Sequence, residues 1–237
     1  MSPSPHPRLV VLSGSGISAE SGLSTFRGGG GLWNNHRVED VASIEGWHRN
    51  PQLMLDFYNQ MREDLGHRVP NEAHRLIAGL EQDFRVTVIT QNVDNLHERA
   101  GSSHIIHLHG EVTKVRPEDC YTERDGYSLE FVRDIGYGSI ALGDTGGPRH
   151  RQLRPHIVFF GEAVPNIEAA AREVSAADIL LIIGTSLQVY PAAGLSAYAP
   201  ARCKKYVIDP ADIPARDAVH IQDVATSGMQ QFIRMLG

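Results

Sequence analysis

Cysteine is nearly absent from this sequence. The 237 residues hold two, Cys120 and Cys203, far apart and with no C-x-x-C pairing, which excludes a disulfide framework and a four-cysteine zinc site. Two free thiols in a reducing compartment are expected rather than one long-range bridge. Basic runs are missing too: 22 Lys and Arg against 28 Asp and Glu leave a formal net charge of -6. Without clustered cations, a sequence-independent grip on nucleic-acid phosphates has no source. No apolar stretch reaches the ~20 residues that a membrane span needs, and the opening Met1-Ser2-Pro3-Ser4-Pro5 lacks the charged-then-apolar order of a signal peptide. There is no internal repeat. The expectation is a cytoplasmic monomer with neither nucleic-acid nor membrane partners.

Glycine, by contrast, is concentrated where it matters. The apolar run Leu9-Val10-Val11-Leu12 suits a buried parallel strand, and it opens into G-S-G-I-S-A-E-S-G-L-S-T-F-R-G-G-G-G-L-W over residues 14–33. Gly14 and Gly16 allow backbone to approach a ligand closely. A short helix opening at Ser18 and Glu20 is predicted to turn its unpaired N–H groups toward a phosphate, the geometry of a dinucleotide pyrophosphate site. Ala19 stands where the third glycine of G-x-G-x-x-G would fall, and no long helix with a distant acidic residue follows. Gly28 to Gly31 cannot sit in a helix at roughly 1 kcal/mol each relative to alanine, so Thr25-Phe26-Arg27 belongs to a loop able to fold over a ligand. The other reading of the same residues is a glycine-rich turn with a solvated arginine.

The rest of the chain alternates strands and helices. A helical pattern at Val38, Val41 and Ala42 is followed by a helix begun at Asn50-Pro51, with Leu53, Met54, Phe57, Tyr58 and Met61 on one face. A third helix is capped at Asn71. Apolar runs at Arg85–Thr90, Ile105–Leu108, Ile157–Phe160, Ile179–Ile183 and Lys205–Ile208 end in polar or glycine residues. Helices are expected from Asn166 to Ala176, near Pro191 and from about Met229. Periodicity fails between Glu111 and Pro155. This is an α/β pattern: a Rossmann-like, doubly wound parallel sheet with a smaller inserted lobe. The expected division gives the sheet domain residues 8–35, 84–111 and 155–237. The lobe is formed by a helical insertion at 36–83 and a loop-rich module at 112–154.

Ligands in such sheets sit at strand carboxyl ends, which selects Gln91-Asn92-Val93-Asp94 and His109-Gly110-Glu111. Imidazole is suited to proton transfer near neutrality, so His109 is a candidate base, though a structural turn histidine would look the same. Asn92 and Asp94 can hold ribose hydroxyls or a carboxamide, or simply make an Asx turn and cap a helix at Asp94 or Asn95. His104, His107 and His109 alternate as metal ligands could, but His107 lies between apolar neighbours and no metal site is expected.

Together these motifs resemble the sirtuins, the NAD-consuming protein-lysine deacylases, and among them the bacterial deacylase subgroup. The resemblance runs through residues 14–27, Gly31-Leu32-Trp33, Thr90 to His97, His107 to Glu111, Phe160-Gly161-Glu162, and Gly184-Thr185-Ser186-Leu187 with Pro191. It implies an enzyme that uses NAD as co-substrate and acyl-lysine proteins or peptides as partners, releasing nicotinamide and O-acyl-ADP-ribose. NAD would be held by Gly14, Ser15, Gly16, Glu20, Thr25, Phe26, Arg27, Trp33, Gln91, Asn92, Val93, Asp94, Gly184, Thr185, Ser186, Asp209 and Ala225. His109, Asn92 and Asp94 would be catalytic, His109 as base on a ribose hydroxyl. Tyr58, Met61, Phe160, Gly161 and Glu162 would bind the substrate, its backbone pairing as an added strand at residues 160–162. The same cofactor step could instead serve mono-ADP-ribosyl transfer or NAD hydrolysis, or the chain could be a non-catalytic NAD sensor.

Three departures from the family pattern shape these expectations. The two cysteine pairs that usually bind zinc are reduced to Cys120, so the lobe should be metal-free and rest on apolar contacts from Leu129, Phe131, Ile135 and Ile140. Sirtuins that remove acidic acyl groups carry a tyrosine with an arginine three residues later; Tyr58 is present, but Met61 takes the second place and Arg62 lies about 100° further round the helix. Deacetylation is therefore expected over desuccinylation. Ser15 replaces an alanine, and Asp209 an asparagine.

Overall fold

The computed structural model describes residues 6–25, 36–119, 121–122, 126–127 and 130–237. In chain order the strands are β1 (Arg8–Ser13), β2 (Arg85–Thr90), β3 (Ile105–His107), β4 (Gly110–Pro117), β5 (Tyr121–Thr122), β6 (Gly126–Tyr127), β7 (Arg133–Asp134), β8 (Thr145–Gly146), β9 (Arg151–Ile157), β10 (Ile179–Ile183), β11 (Lys204–Ile208) and β12 (Ala218–Ile221). The helices are α1 (Val38–Val41), α2 (Ile44–Arg49), α3 (Pro51–Gly66), α4 (Glu72–Gly79), α5 (Leu96–Ala100), α6 (Ile167–Ser175) and α7 (Ala225–Leu236). They fall into two units, one of Met1–Phe26, Val69–Leu108 and Asn166–Gly237, the other of Arg27–Arg68 and His109–Pro165.

The first unit is a six-stranded sheet in the order β12-β11-β10-β1-β2-β3, with every pairing parallel. Strand residues alternate between its two faces. Leu9, Val11, Val86, Val88, Ile179, Leu181 and Ile183 pack with Ala73, Ile77 and Leu80 from the α4 segment and Ala225, Met229 and Phe232 of α7. Thr87, from the alternate set, donates to Glu173 of α6 at 3.3 Å, so helices cover both faces. This double cover is why the central strands read as unbroken apolar runs. Helix α4 starts where Asn71 accepts from the Ala73 and His74 N–H groups, and the Asn71 amide also donates to the Ile17 carbonyl at 2.7 Å. A single cap thus ties α4 to the segment after β1, where a helix cap alone contributes about 1 kcal/mol.

The second unit pairs α1 to α3 with a four-stranded sheet in the order β7-β4-β9-β8, beside the β5-β6 hairpin. Asn50 caps α3 by accepting from Leu53 N–H, with Pro51 in the first turn. Trp47, Met54, Leu55, Phe57, Tyr58, Leu65, Val112, Val115, Leu153 and Phe159 are buried in this unit. Arg62 is buried with them, donating to the carbonyls of Gly138 at 2.8 Å and Val112 at 3.1 Å and to Asn59 Oδ1. Asn59 in turn donates to the Ile140 carbonyl at 2.8 Å, so polar bonds from α3 hold residues 138–140. Of the apolar contacts expected there, Ile140 is buried, Phe131 and Ile135 are half-buried, and Leu129 lies outside the described residues.

The expected α/β class stands, but several boundaries move. The 71–80 segment belongs to the sheet unit rather than the insertion, because its apolar face completes the β1-β2-β10 core. Residues 155–165 and 109–111 leave the sheet domain for the second unit, since β9 pairs antiparallel with β4 instead of extending the parallel sheet. A register shift between Glu111 and Val115 breaks the alternation along β4, which hid this strand in the sequence. The turn before Leu23 is a 3-10 helix over Ser15–Ser21, and the segment after Pro191 is 3-10 as well, over Ala192–Tyr198. Cys203 is a free, buried thiol; Cys120 lies outside the described residues. No helix among the described residues is long and apolar enough to cross a membrane.

Candidate active site

In the first unit, the chain leaves β1 toward one side of the sheet and β10 toward the other, so their shared carboxyl end is the point at which strand order reverses. Open α/β sheets bind ligands in that crevice. Two glycine turns meet there. A Cβ on Gly14 would stand 2.7 Å from the Gly184 carbonyl oxygen, and one on Gly16 2.7 Å from the Gly184 Cα. Gly184 itself has φ +61, and its own Cβ would strike the Ile17 nitrogen at 2.3 Å. These glycines are required by backbone packed on backbone.

The expected phosphate cradle falls on these turns, where two of its N–H groups already have backbone partners. The Gly14 N–H donates to Ile183 O at 3.0 Å and the Gly16 N–H to Gly184 O at 2.9 Å, so neither is left to receive a pyrophosphate. Nor does the short 3-10 helix open at Ser18 and Glu20 as predicted; it begins at Ser15, and Ser18 is buried within it. Glu20 lies elsewhere, accepting from the Thr226 N–H at 2.9 Å and hydroxyl at 2.6 Å in the first turn of α7. It and neighbouring Ala225 are brought together, with the Glu20 carboxylate serving as a helix cap. The Asp209 carboxylate accepts from Ala211 N–H at 2.9 Å, an Asx turn.

The loop after β2 supplies the polar groups. Asn92 donates from Nδ2 to Gly14 O at 3.1 Å and to Ser18 Oγ at 3.3 Å, while its N–H donates to Thr90 Oγ1 at 3.1 Å. These bonds leave its Oδ1 unused. Asp94 accepts from Ser18 Oγ at 3.0 Å and from Leu96 N–H at 3.0 Å, an Asx turn that leads into α5. Burial raises its pKa above the ordinary carboxylate value, against the pull of the Leu96 and Ser18 bonds. Gln91 reaches Thr185 Oγ1 at 3.0 Å, joining the ends of β2 and β10. Gln91, Asn92, Asp94, Gly14, Gly16, Gly184 and Thr185 therefore share one bonded cluster. Ser186 and Val93 adjoin it in sequence and are half-buried, as are Ser15 and Thr25. Phe26, Arg27 and Trp33 lie outside the described residues.

Beneath this cluster lies a polar layer that sequence reading did not single out. Ser13 Oγ is 3.0 Å from His97 Nε2, and the His97 and His74 rings meet edge-on at 4.9 Å. Burial, with the His74 and His107 charges, holds His97 well below the usual imidazole range; burial, with Arg75, lowers His74 to about 4. The available signal was that Ser13, Thr90 and His107 are each the last residue of a strand.

In the second unit, His109 is half-buried just before β4, and its carbonyl accepts from Val158 N–H at 3.0 Å. Gly110, with φ +81, could not carry a side chain, since a Cβ would lie 2.0 Å from His156 O. Tyr58 stacks on Phe159 at 5.8 Å, and the Arg154 guanidinium lies 3.9 Å over the Phe159 ring. Glu162 receives two bonds from Arg154, at 2.7 and 2.8 Å, and one from Phe159 N–H at 2.8 Å. Burial pushes the Glu162 pKa up, but the Arg154 bonds and charge outweigh it and leave the carboxylate below its ordinary value. Burial raises the Tyr58 hydroxyl above its usual range. Phe160 gives its N–H to Ala42 O at 2.8 Å and accepts from Ile44 N–H at 3.0 Å, so its main chain is already paired on that side. Gly161 follows with φ +92. Met61 is half-buried on α3.

Residues 14–191 match the Sir2 family. The chain belongs to the Sir2 family. A Sir2 relative from Bacteroides thetaiotaomicron, called NAD-dependent protein deacylase, is 52% identical over 233 residues, covering 96% of this chain and 97% of its own length. A relative of the same description from Helicobacter pylori strain J99 is 47% identical, with 96% and 94% covered. Among solved structures, a Sir2 homolog–NAD complex aligns with TM-score 0.84 at 34% identity, over 97% of this chain and 89% of that one. A Sir2 complex with a p53 peptide and NAD+ aligns with TM-score 0.77 at 27% identity, over 97% and 93%.

Proposed function

We propose that this Sir2 chain is an NAD-dependent protein-lysine deacylase, yielding the free lysine, nicotinamide and O-acyl-ADP-ribose. The observation that carries the reading is the bonded cluster at the β1-β10 reversal point, where Asn92 keeps an acceptor in hand and Asp94 a buried carboxyl. These are the groups a carboxamide and ribose hydroxyls require, and relatives that span almost the whole chain carry the deacylase description. NAD supplies an electrophilic ribose carbon for the acyl oxygen. Gln91, Asn92, Asp94, Thr185 and Ser186 would hold it, and the packed glycines let backbone reach it. His109 would take a proton from a ribose hydroxyl. Tyr58 and Met61 would line the acyl pocket, and Gly161 would pair with the substrate backbone.

Acetyl is the favoured acyl group in this reading. Met61 brings no charge, and the Arg62 guanidinium is bonded to two backbone carbonyls and Asn59, so it has no free face for a carboxylate. The lobe is read as zinc-free. Its only cysteine is Cys120, since Cys203 lies in the first unit, and Asp119 is paired with Arg149 and Arg151. That donor set does not fit a thiolate zinc site.

The test is a panel of acetyl- and succinyl-lysine peptides with NAD, read by mass spectrometry. Peptide-dependent nicotinamide and O-acetyl-ADP-ribose are expected, abolished by His109→Ala. ADP-ribosylated protein, or NAD loss without peptide, would replace the reading with one of transfer or hydrolysis; succinyl preference would overturn the acyl assignment alone.

A further inference from the structure

His107 closes β3 against Thr90 of β2 and is buried at 8% exposure. Its Nε2 lies 2.6 Å from Glu98 Oε1 and its Nδ1 3.3 Å from the Asn92 carbonyl oxygen. A carboxylate oxygen thus faces one ring nitrogen and a main-chain carbonyl oxygen the other. The backbone on either side is held as well. The His107 carbonyl takes a bond from Asn166 Nδ2 at 2.8 Å, and the next N–H, of Leu108, donates to Thr90 O at 2.9 Å. Glu98 sits on α5, whose first residue, Leu96, donates its N–H to Asp94. His107 therefore grips the 92–98 segment at two places: the main chain of Asn92 and, four residues past Asp94, helix α5.

That grip completes a set. The N–H of Asn92 is held by Thr90, its amide by Gly14 O and Ser18, and its carbonyl by His107. With four bonds fixing the residue, the direction of Oδ1 is determined before any ligand arrives, the preorganisation that binding and catalysis both use. We propose that His107, held against Glu98, is a positioning residue that aims Asn92 and Asp94 at the nicotinamide carboxamide of NAD. This rests on the function proposed above.

The two ring nitrogens can be tested separately. His107→Asn carries an amide where Nδ1 stood and keeps a donor for the Asn92 carbonyl; His107→Gln carries one where Nε2 stood and keeps only Glu98. If His107 positions the loop, His107→Gln raises KM for NAD and the nicotinamide concentration for half-inhibition about tenfold, the upper end of the range for one hydrogen bond. KM for the acyl peptide stays unchanged, and His107→Asn recovers most of the loss. Glu98→Ala, at a side chain 37% exposed, tests the pair with little risk to folding and should raise KM for NAD about threefold. NAD and nicotinamide constants unmoved in all three variants, or moving together with the peptide constant, would overturn the proposal while leaving the deacylase reading intact. Failure of the unaltered chain to turn over NAD with any acyl peptide would instead overturn that reading and this inference with it.

Discussion

His74 has no room for a charge. It is fully buried against His97, its Nδ1 meets Asn71 Oδ1 at 3.0 Å, and its Nε2 has no hydrogen-bond partner among the described residues. Burial, with Arg75 adding to it and Glu98 opposing, lowers its pKa from 6.5 to about 4. A histidine depressed in the folded state is neutral in both states above pH 6.5, so its contribution is fully present there. Below 6.5 the unfolded chain binds a proton that the folded chain refuses, and stability falls until about pH 4. The loss approaches about 3 kcal/mol at ~1.4 kcal/mol per pH unit, and His97 shifts in the same direction. Thermal melts between pH 7.5 and 4.5 should show this slope, and His74→Gln, less stable at pH 7.5, should show a shallower one. Arg62 makes the second residue-scale prediction. Arg62→Ala strips donors from the carbonyls of Gly138 and Val112, a cost of about 3 kcal/mol and about 10 °C in Tm for a chain of this size. Arg62→Lys should not restore it, because an ammonium lacks the fork that reaches three acceptors. Sequence reading placed Arg62 by helix rotation alone; the carbonyls that receive it lie some 50 and 76 residues away.

At the scale of elements, the strands buried on both faces were legible. Leu9 to Leu12 and Ile179 to Ile183 are apolar throughout, and Val86 to Ile89 apart from Thr87, because helices cover both sides of the sheet. The elements that were missed are those whose pattern is broken or short. Strand β4 carries a register shift, and β12 is an exposed edge. The glycine turns were located correctly but explained by a ligand, whereas each glycine is first required by its neighbour's backbone. Gly184→Ala should therefore destabilise the chain by at least about 2 kcal/mol, from its positive φ and the collision with Ile17, with or without NAD. Gly110→Ala, at φ +81 against His156 O, should lower both Tm and activity by displacing the turn that follows His109. Loss of activity with an unchanged Tm would contradict this account of Gly110.

For the whole molecule, the scarcity of cysteine leads to a direct measurement. The purified protein should contain less than about 0.1 zinc per chain, and a strong chelator should leave its Tm and turnover unchanged; stoichiometric zinc would mean donors beyond a single thiolate. NAD at 100 times its dissociation constant should stabilise the fold by about 2.7 kcal/mol, and His109→Ala should keep that shift while losing turnover. The amino-acid sequence by itself determined the α/β class, the chain segments in which chemistry-bearing residues cluster, and the family, because strand runs and strand-end motifs are local patterns that survive without contacts. Only the tertiary structure decided which groups within those motifs remain available. It assigned the Gly14 and Gly16 N–H groups to backbone, Glu20 to α7, Glu162 to Arg154 and His107 to Glu98. A hydrogen bond is made once its donor and acceptor meet, and which residues meet across 80 or 200 positions of sequence is set by how strands pair and helices pack.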